Sequence, residues 1–256
     1  MYRGFNLSLS LSKNTVDIFY EDGLQLYNEY STIAKKSLYD FIFSDNSIDG
    51  SSLQAHWFPQ VNADIFLSHS HQDSRMTIAF AGWLFETFGL KSFIDSCIWG
   101  YSNDLLKIID NKYCLQTNGT YNYNKRNFST SHVHMMLSSA LSMMIDKTEC
   151  VIFLNTPESI KPFQGIQKTE SPWLYSELLT TQIVRENIPV RLRKLEESID
   201  ETDLIKSEGR AFSHIRYNAE LGHLTAIDFD SLELWRDSYS KRLNPLDVLY
   251  RLYPNK

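Results

Sequence analysis

Residues 63–95 read ADIFLSHSHQDSRMTIAFAGWLFETFGLKSFID, and this stretch sets the architecture expected of the whole chain. A short apolar strand is expected over 64–68, a polar loop over 69–73, an amphipathic helix over 74–88 and a second strand over 91–94. In the helix, Met76, Phe80, Leu84 and Phe88 recur every four residues, and Ala79, Ala81 and Phe85 widen the stripe. That is the pattern of a helix covering a sheet. Gly89 follows the last apolar residue and supplies the stop. A strand–helix–strand unit of this kind opens a parallel α/β sheet, whose ligands bind beyond the carboxyl ends of the strands.

Working outward, a second amphipathic helix carries Val133, Leu137, Ala140, Leu141 and Met144 on one side and feeds into CVIFLN (150–155). That continuous apolar run fits a strand buried on both faces. Residues 171–187 form a further helix, with Ser171 as N-cap, Pro172 at the first helical position and Pro189 beyond its end. Apolar segments at 188–192 and 224–229 are expected as edge strands, and 232–253 as helix broken at Pro245. Upstream, a helix is expected around 30–43, and Trp57 and Phe58 as docking residues of an extension. The Asn-, Tyr- and Gly-rich stretch 115–130 reads as an inserted loop. Alternating strands and helices point to an open parallel sheet covered on both faces.

The 256 residues are 43% hydrophobic and 13% aromatic, a composition that builds a packed core. Net charge is −6 and the pI near 5.6, so no basic field draws nucleic acid or acidic lipid. Three scattered cysteines (Cys97, Cys114, Cys150) give neither a disulfide framework nor a zinc pattern and suit a reducing cytoplasm. No apolar run reaches the length of a membrane span, and the first residues lack a signal core. Neither a nucleic acid nor a membrane is an expected partner.

Three segments carry a family resemblance. Asp64, Phe66, Leu67, Ser68, Asp73, Ser74 and Arg75 follow in order the first strand and loop of the Toll/interleukin-receptor (TIR) domain in its plant-like form. Phe93-Ile94-Asp95 matches the Phe-x-Asp ending that family's second strand, with Gly100 in the place of its BB-loop glycine. Ser171-Pro172-Trp173 and Glu177-Leu178 match its Ser-x-Trp-Cys-Leu-x-Glu-Leu, with Leu174 standing where the family has Cys. The matches span about half the chain. The chain is similar to stand-alone bacterial NAD-consuming TIR proteins of antiphage systems such as Thoeris.

The resemblance implies a flavodoxin-like open parallel sheet with helices on both faces, the TIR fold. The main domain would occupy 63–230 with an insertion at 103–130, an N-terminal extension 1–62 and a C-terminal helical extension 231–256. It also implies cleavage of the nicotinamide–ribose bond of NAD, the substrate, with no separate cofactor and no metal. Glu177 would be the catalytic carboxylate. The loops 69–73 and 95–101 would face each other across the strand ends. Ser68, His69, Ser70 and Asp95 would bind substrate there, Trp99 or Tyr101 would cover a base, and Trp173 would line the site one helical turn from Glu177. Homo-oligomers through TIR–TIR contacts and a separate effector that senses the product are the implied partners.

Two other classes compete. The first is a TIR module that assembles without catalysis. The second is a metal hydrolase, because His69, His71 and Asp73 also match the His-x-His-x-Asp signature of metallo-β-lactamase-like enzymes. Against it, Ser74 stands where that signature's next His belongs, and only ten glycines serve a fold of many tight turns.

Overall fold

The structure is a computed structural model that describes residues 1–9, 13–31, 37–99, 102–192 and 216–254. In chain order the elements are β1 (Arg3–Ser8), α1 (Lys13–Ser31), α2 (Gly50–Trp57), β2 (Ile65–Ser68), α3 (Ser74–Phe88) and β3 (Ser92–Phe93). Then follow α4 (Asp95–Ile98), α5 (Ser102–Tyr113), α6 (Tyr123–Lys147) and β4 (Cys150–Asn155). A hairpin of β5 (Lys161–Phe163) and β6 (Ile166–Thr169) leads to α7 (Pro172–Ile183). The chain ends with β7 (Tyr217–Asn218), β8 (Thr225–Asp228), α8 (Phe229–Ser238) and α9 (Pro245–Leu252).

Five strands form one all-parallel sheet in the order β3-β2-β4-β1-β8, a flavodoxin-like open α/β fold. Each inner strand splits its side chains between the two faces, as the period of two requires. On one face Phe5, Leu7, Ile65, Leu67, Ile152 and Leu154 meet residues of α1, α3, α8 and α9. On the other, Phe66, Phe93 and Val151 meet residues of α2, α5 and α6. Phe153 heads a smaller cluster with Leu174 and Leu178 of α7.

The expected N-terminal extension is corrected by this topology. β1 lies between β4 and β8, in parallel register with Cys150–Asn155 on one side and Thr225–Asp228 on the other. It fills the slot that a fourth strand in sequence order would take in a flavodoxin-like sheet. A boundary at residue 62 therefore does not separate two cores. The expected C-terminal extension at 231–256 carries α8 and α9 among its described residues, but it too belongs to the main core: Trp235 and Leu249 are fully buried there.

Other boundaries shift for local reasons. The upstream helix is α1, because Phe19, Gly23 and Tyr27 repeat at intervals of four and face α3; among the described residues of 30–43, α1 ends at Ser31 and a single 3-10 turn forms at Leu38–Phe41. The 103–130 insertion is largely helical. Asn122 caps α6, its side chain accepting from the Lys125 amide, so only the stretch between α5 and α6 remains a loop. Residues 188–192 form a 3-10 turn at Val190–Leu192 and no strand. The hairpin before α7 turns through Gln164 and Gly165, both at positive φ, as a two-residue hairpin turn requires.

α1 and α3 touch backbone to backbone. A Cβ on Gly82 would lie 2.4 Å from the Phe19 carbonyl oxygen, and one on Gly23 would lie 2.0 Å from that of Ile78. Neither obstacle is a side chain that can swing away. Gly82→Ala is expected to cost about 2–3 kcal/mol by forcing the helices apart, measured as a lower urea midpoint at unchanged slope. An unchanged midpoint would mean that the helices separate without penalty.

Candidate active site

β2 and β4 are neighbours at the position where the chain reverses its direction of travel across the sheet, which places a crevice beyond their carboxyl ends. The side chains around it come from four elements. β2 ends at Ser68, β3 leads into Asp95 at the start of α4, the 69–73 loop supplies His69 and His71, and α7 supplies Trp173 and Glu177. The Ser171 hydroxyl accepts from the Leu174 amide and Pro172 opens the helix, which fixes the entry angle of α7. Its second turn then directs Glu177 back toward β2.

Glu177 is 6% exposed, and its Oε2 accepts a 2.5 Å hydrogen bond from Ser68 Oγ. Its carboxyl is pushed up from 4.5 to about 8, first by burial and second by the negative charge of Asp95, while the Ser68 hydrogen bond pulls the other way. A carboxyl held so far from its ordinary range beside a second carboxylate marks a candidate functional group on physical grounds. It borders a cavity of about 360 Å³ whose walls include His69, His71, Asp95, Ser171 and Trp173.

Most of the expected residues meet here. Ser68, His69, Asp95, Trp173 and Glu177 converge on one cavity or on each other. The His69 ring is anchored with Nδ1 3.3 Å from the Leu67 carbonyl oxygen. Trp173 is half-buried and stands perpendicular to the His134 ring, centroids 5.4 Å apart. Ser70 starts the short 3-10 turn after β2 and is not part of the cavity wall. Tyr101 and Gly100 lie outside the described residues.

Trp99 departs from expectation. Although it borders the cavity, it is 2% exposed, its Nε1 donates to the Pro59 carbonyl at 2.8 Å, and it packs edge-on against Phe58 and Phe93. Its ring is part of the core and offers no open face for a base. Asn103, near the start of α5, and Leu137, on α6, are cavity residues that sequence reasoning missed. Asn103 sits just past the loop after β3, so its place at the strand-end rim was the one available signal. Leu137 belonged to an apolar stripe and carried no mark separating it from the core.

The metal-binding reading of His69, His71 and Asp73 finds no converging donors. Asp73 Oδ2 accepts a 2.6 Å bond from Thr156 Oγ1, a contact that ties the loop after β2 to the end of β4. Burial pushes the Asp73 carboxyl up. Among the described residues no group of three or more His, Cys, Asp and Glu side chains is placed to hold a metal ion. Arg75 pairs with Asp17 at 2.8 Å and covers the Tyr20 ring, so its part is to fasten α3 to α1.

Comparison of the chain with protein-family models, with curated proteins and with solved structures finds no match. No helix among the described residues is long and apolar enough to cross a membrane.

Proposed function

We propose that this protein cleaves the bond between nicotinamide and ribose in NAD, with Glu177 as the catalytic carboxylate. The observation that carries the reading is the buried Glu177 side chain, hydrogen-bonded to Ser68 and next to Asp95, in a cavity at the sheet's switch point. The TIR-like order of the first strand, the Phe-x-Asp and the Trp173/Glu177 helix agrees with it.

The chemistry asks little of an acid. The bond from the anomeric carbon to the pyridinium nitrogen breaks, its electron pair returns to the ring, and nicotinamide leaves neutral. Positive charge is left on the ribose, as in other glycosyl transfers with oxocarbenium character. An ionised Glu177 stabilises that charge from inside a cavity where little water screens it. Water, or a nucleophile of the substrate itself, then attacks the anomeric carbon and loses a proton. Ser68 holds the carboxylate, Asp95 and His69 offer hydrogen-bonding groups to ribose hydroxyls, and Trp173 gives an aromatic wall. The cavity suits the reacting end of the dinucleotide, leaving the adenosine half outside.

On the analogy with stand-alone TIR proteins, the product would be an ADP-ribose-derived signal read by a separate effector, made in the cytoplasm by an assembled form of the protein. The test is incubation of purified protein with NAD across a range of protein concentrations, following nicotinamide release and product mass. Release that depends on protein concentration is the expected result. NAD left intact at every concentration would favour assembly without catalysis.

A further inference from the structure

Asp73 occupies the N-cap position of α3, where an aspartate ordinarily accepts from amides of the first helical turn. Among the described residues its side chain makes no such capping bond. Its Oδ2 accepts instead from Thr156 Oγ1 at 2.6 Å, across 83 residues of sequence. The cap is forgone for a link between the loop after β2 and the loop after β4.

The Thr156 end of this link is fixed in direction. Thr156 is buried, and its hydroxyl oxygen accepts from the amides of Glu158 and Ser159, at 3.2 and 3.1 Å. Both lone pairs are thereby engaged, and only the proton remains to be placed. Asp73 Oδ2 is the near acceptor for it; Ser159 Oγ lies 3.5 Å away. That serine is itself held: it accepts from the Thr156 amide and donates to the Leu154 carbonyl, each at 2.9 Å. The anchor is therefore built onto the end of β4.

The Asp73 end closes the 69–73 loop. Its amide donates to the Ser70 carbonyl at 2.8 Å, and its own carbonyl accepts from Thr77 Oγ1 at 2.9 Å. The loop so held carries the half-buried His69 and the exposed His71, both on the wall of the Glu177 cavity. Neither Asp73 nor Thr156 belongs to the described wall of that cavity, so the link reaches it through the two histidines.

We infer that Asp73 is a positioning residue: its bond to Thr156 holds the loop after β2 so that His69 and His71 stand against the substrate cavity. This rests on the reading of that cavity as the site of NAD cleavage. Rates respond steeply to such positioning, because a misplacement of about 1 Å can cost about 10²-fold.

Thr156→Val breaks the link from one side and Asp73→Ala from the other. Each should lower kcat/KM for NAD by about tenfold to 10²-fold. The double variant should be no slower than the slower single one, since both remove the same bond. Asp73→Asn, whose amide oxygen still accepts, and Thr156→Ser, which keeps the donor, should retain the native rate. Hydrogen exchange over residues 69–73, read by mass spectrometry, should quicken in Thr156→Val and Asp73→Ala but not in the two conservative variants. That measurement needs no turnover. Native exchange in both Thr156→Val and Asp73→Ala would overturn the link. Quickened exchange with a native kcat/KM per folded molecule, or losses that add in the double variant, would overturn its part in the reaction. Should Thr156→Val fail to fold, the contrast between Asp73→Ala and Asp73→Asn decides alone. NAD left intact by the native protein would instead remove the reading of the cavity, and this inference with it.

Discussion

Glu177→Gln is expected to abolish NAD turnover and, in the same molecule, to make the fold more stable at alkaline pH. Turnover should fall by about 10³-fold or more, because the neutral amide no longer offers negative charge to the ribose cation. The stability effect follows from linkage. In the folded protein this carboxyl stays protonated up to about 8, while in the unfolded chain it ionises near 4.5. Between those values the unfolded state has lost a proton that the native state keeps, so stability falls as pH rises through the window. Above it the full penalty applies, on the order of 3–5 kcal/mol at about 1.4 kcal/mol per pKa unit.

Gln fits the same space, accepts from Ser68 through its amide oxygen and never ionises. Near pH 4 the variant and the native protein should therefore melt at similar temperatures. By pH 8 the variant should melt several degrees higher, a gap readable by calorimetry. A residue with only a packing role would change neither quantity in this way. Retained turnover in Glu177→Gln would remove the site assignment. A melting gap independent of pH would remove the claim that the native carboxyl is held neutral.

The elements that were legible in the sequence are those whose partners are close by or whose faces are uniform. α3 was fixed by its own apolar stripe and by Gly89, which takes up φ +71 as the helix stop. β4 was fixed by five consecutive residues, Cys150 to Leu154, apolar enough for burial on both faces. β1 was not readable as an inner strand. RGFNLS alternates buried and half-exposed positions like a strand with one wet face, and Arg3 and Asn6 argue for an edge. Its place between β4 and β8 comes from pairing with strands about 150 and 220 residues away, and nothing local encodes that. Arg3 is accommodated because its guanidinium donates to the Tyr253 carbonyl just past the end of α9, where the helix dipole favours a cation.

The candidate site divides along the same line. Trp173 and Glu177 share one helix, so their common face follows from spacing alone. The Ser68–Glu177 hydrogen bond joins residues 109 apart and needed the folded sheet to appear. Trp99 was misjudged because an aromatic residue in a strand-end loop looks the same in sequence whether it covers a ligand or plugs the core. The Pro59 carbonyl that accepts from its indole decides for the core.

The pH dependence of catalysis gives the second large effect, and two neighbours of Glu177 make it specific. If the ionised carboxyl is the working form, kcat/KM should rise about tenfold per pH unit below a limb near 8 and level off above it. The kcat limb should lie at lower pH, because the pyridinium charge of bound NAD favours the carboxylate that the empty cavity disfavours. Asp95→Asn removes a negative charge that holds the Glu177 carboxyl up, so its kcat/KM limb should move to lower pH. Ser68→Ala removes a hydrogen bond that pulls the carboxyl down, so its limb should move to higher pH. Simple damage to the cavity would reduce rates in both variants without shifting the two limbs in opposite directions. Limbs that stay in place, or shift the same way in both variants, would assign the titration to a group other than Glu177. Opposite shifts would connect the rate to the one side chain that touches Ser68 and senses Asp95.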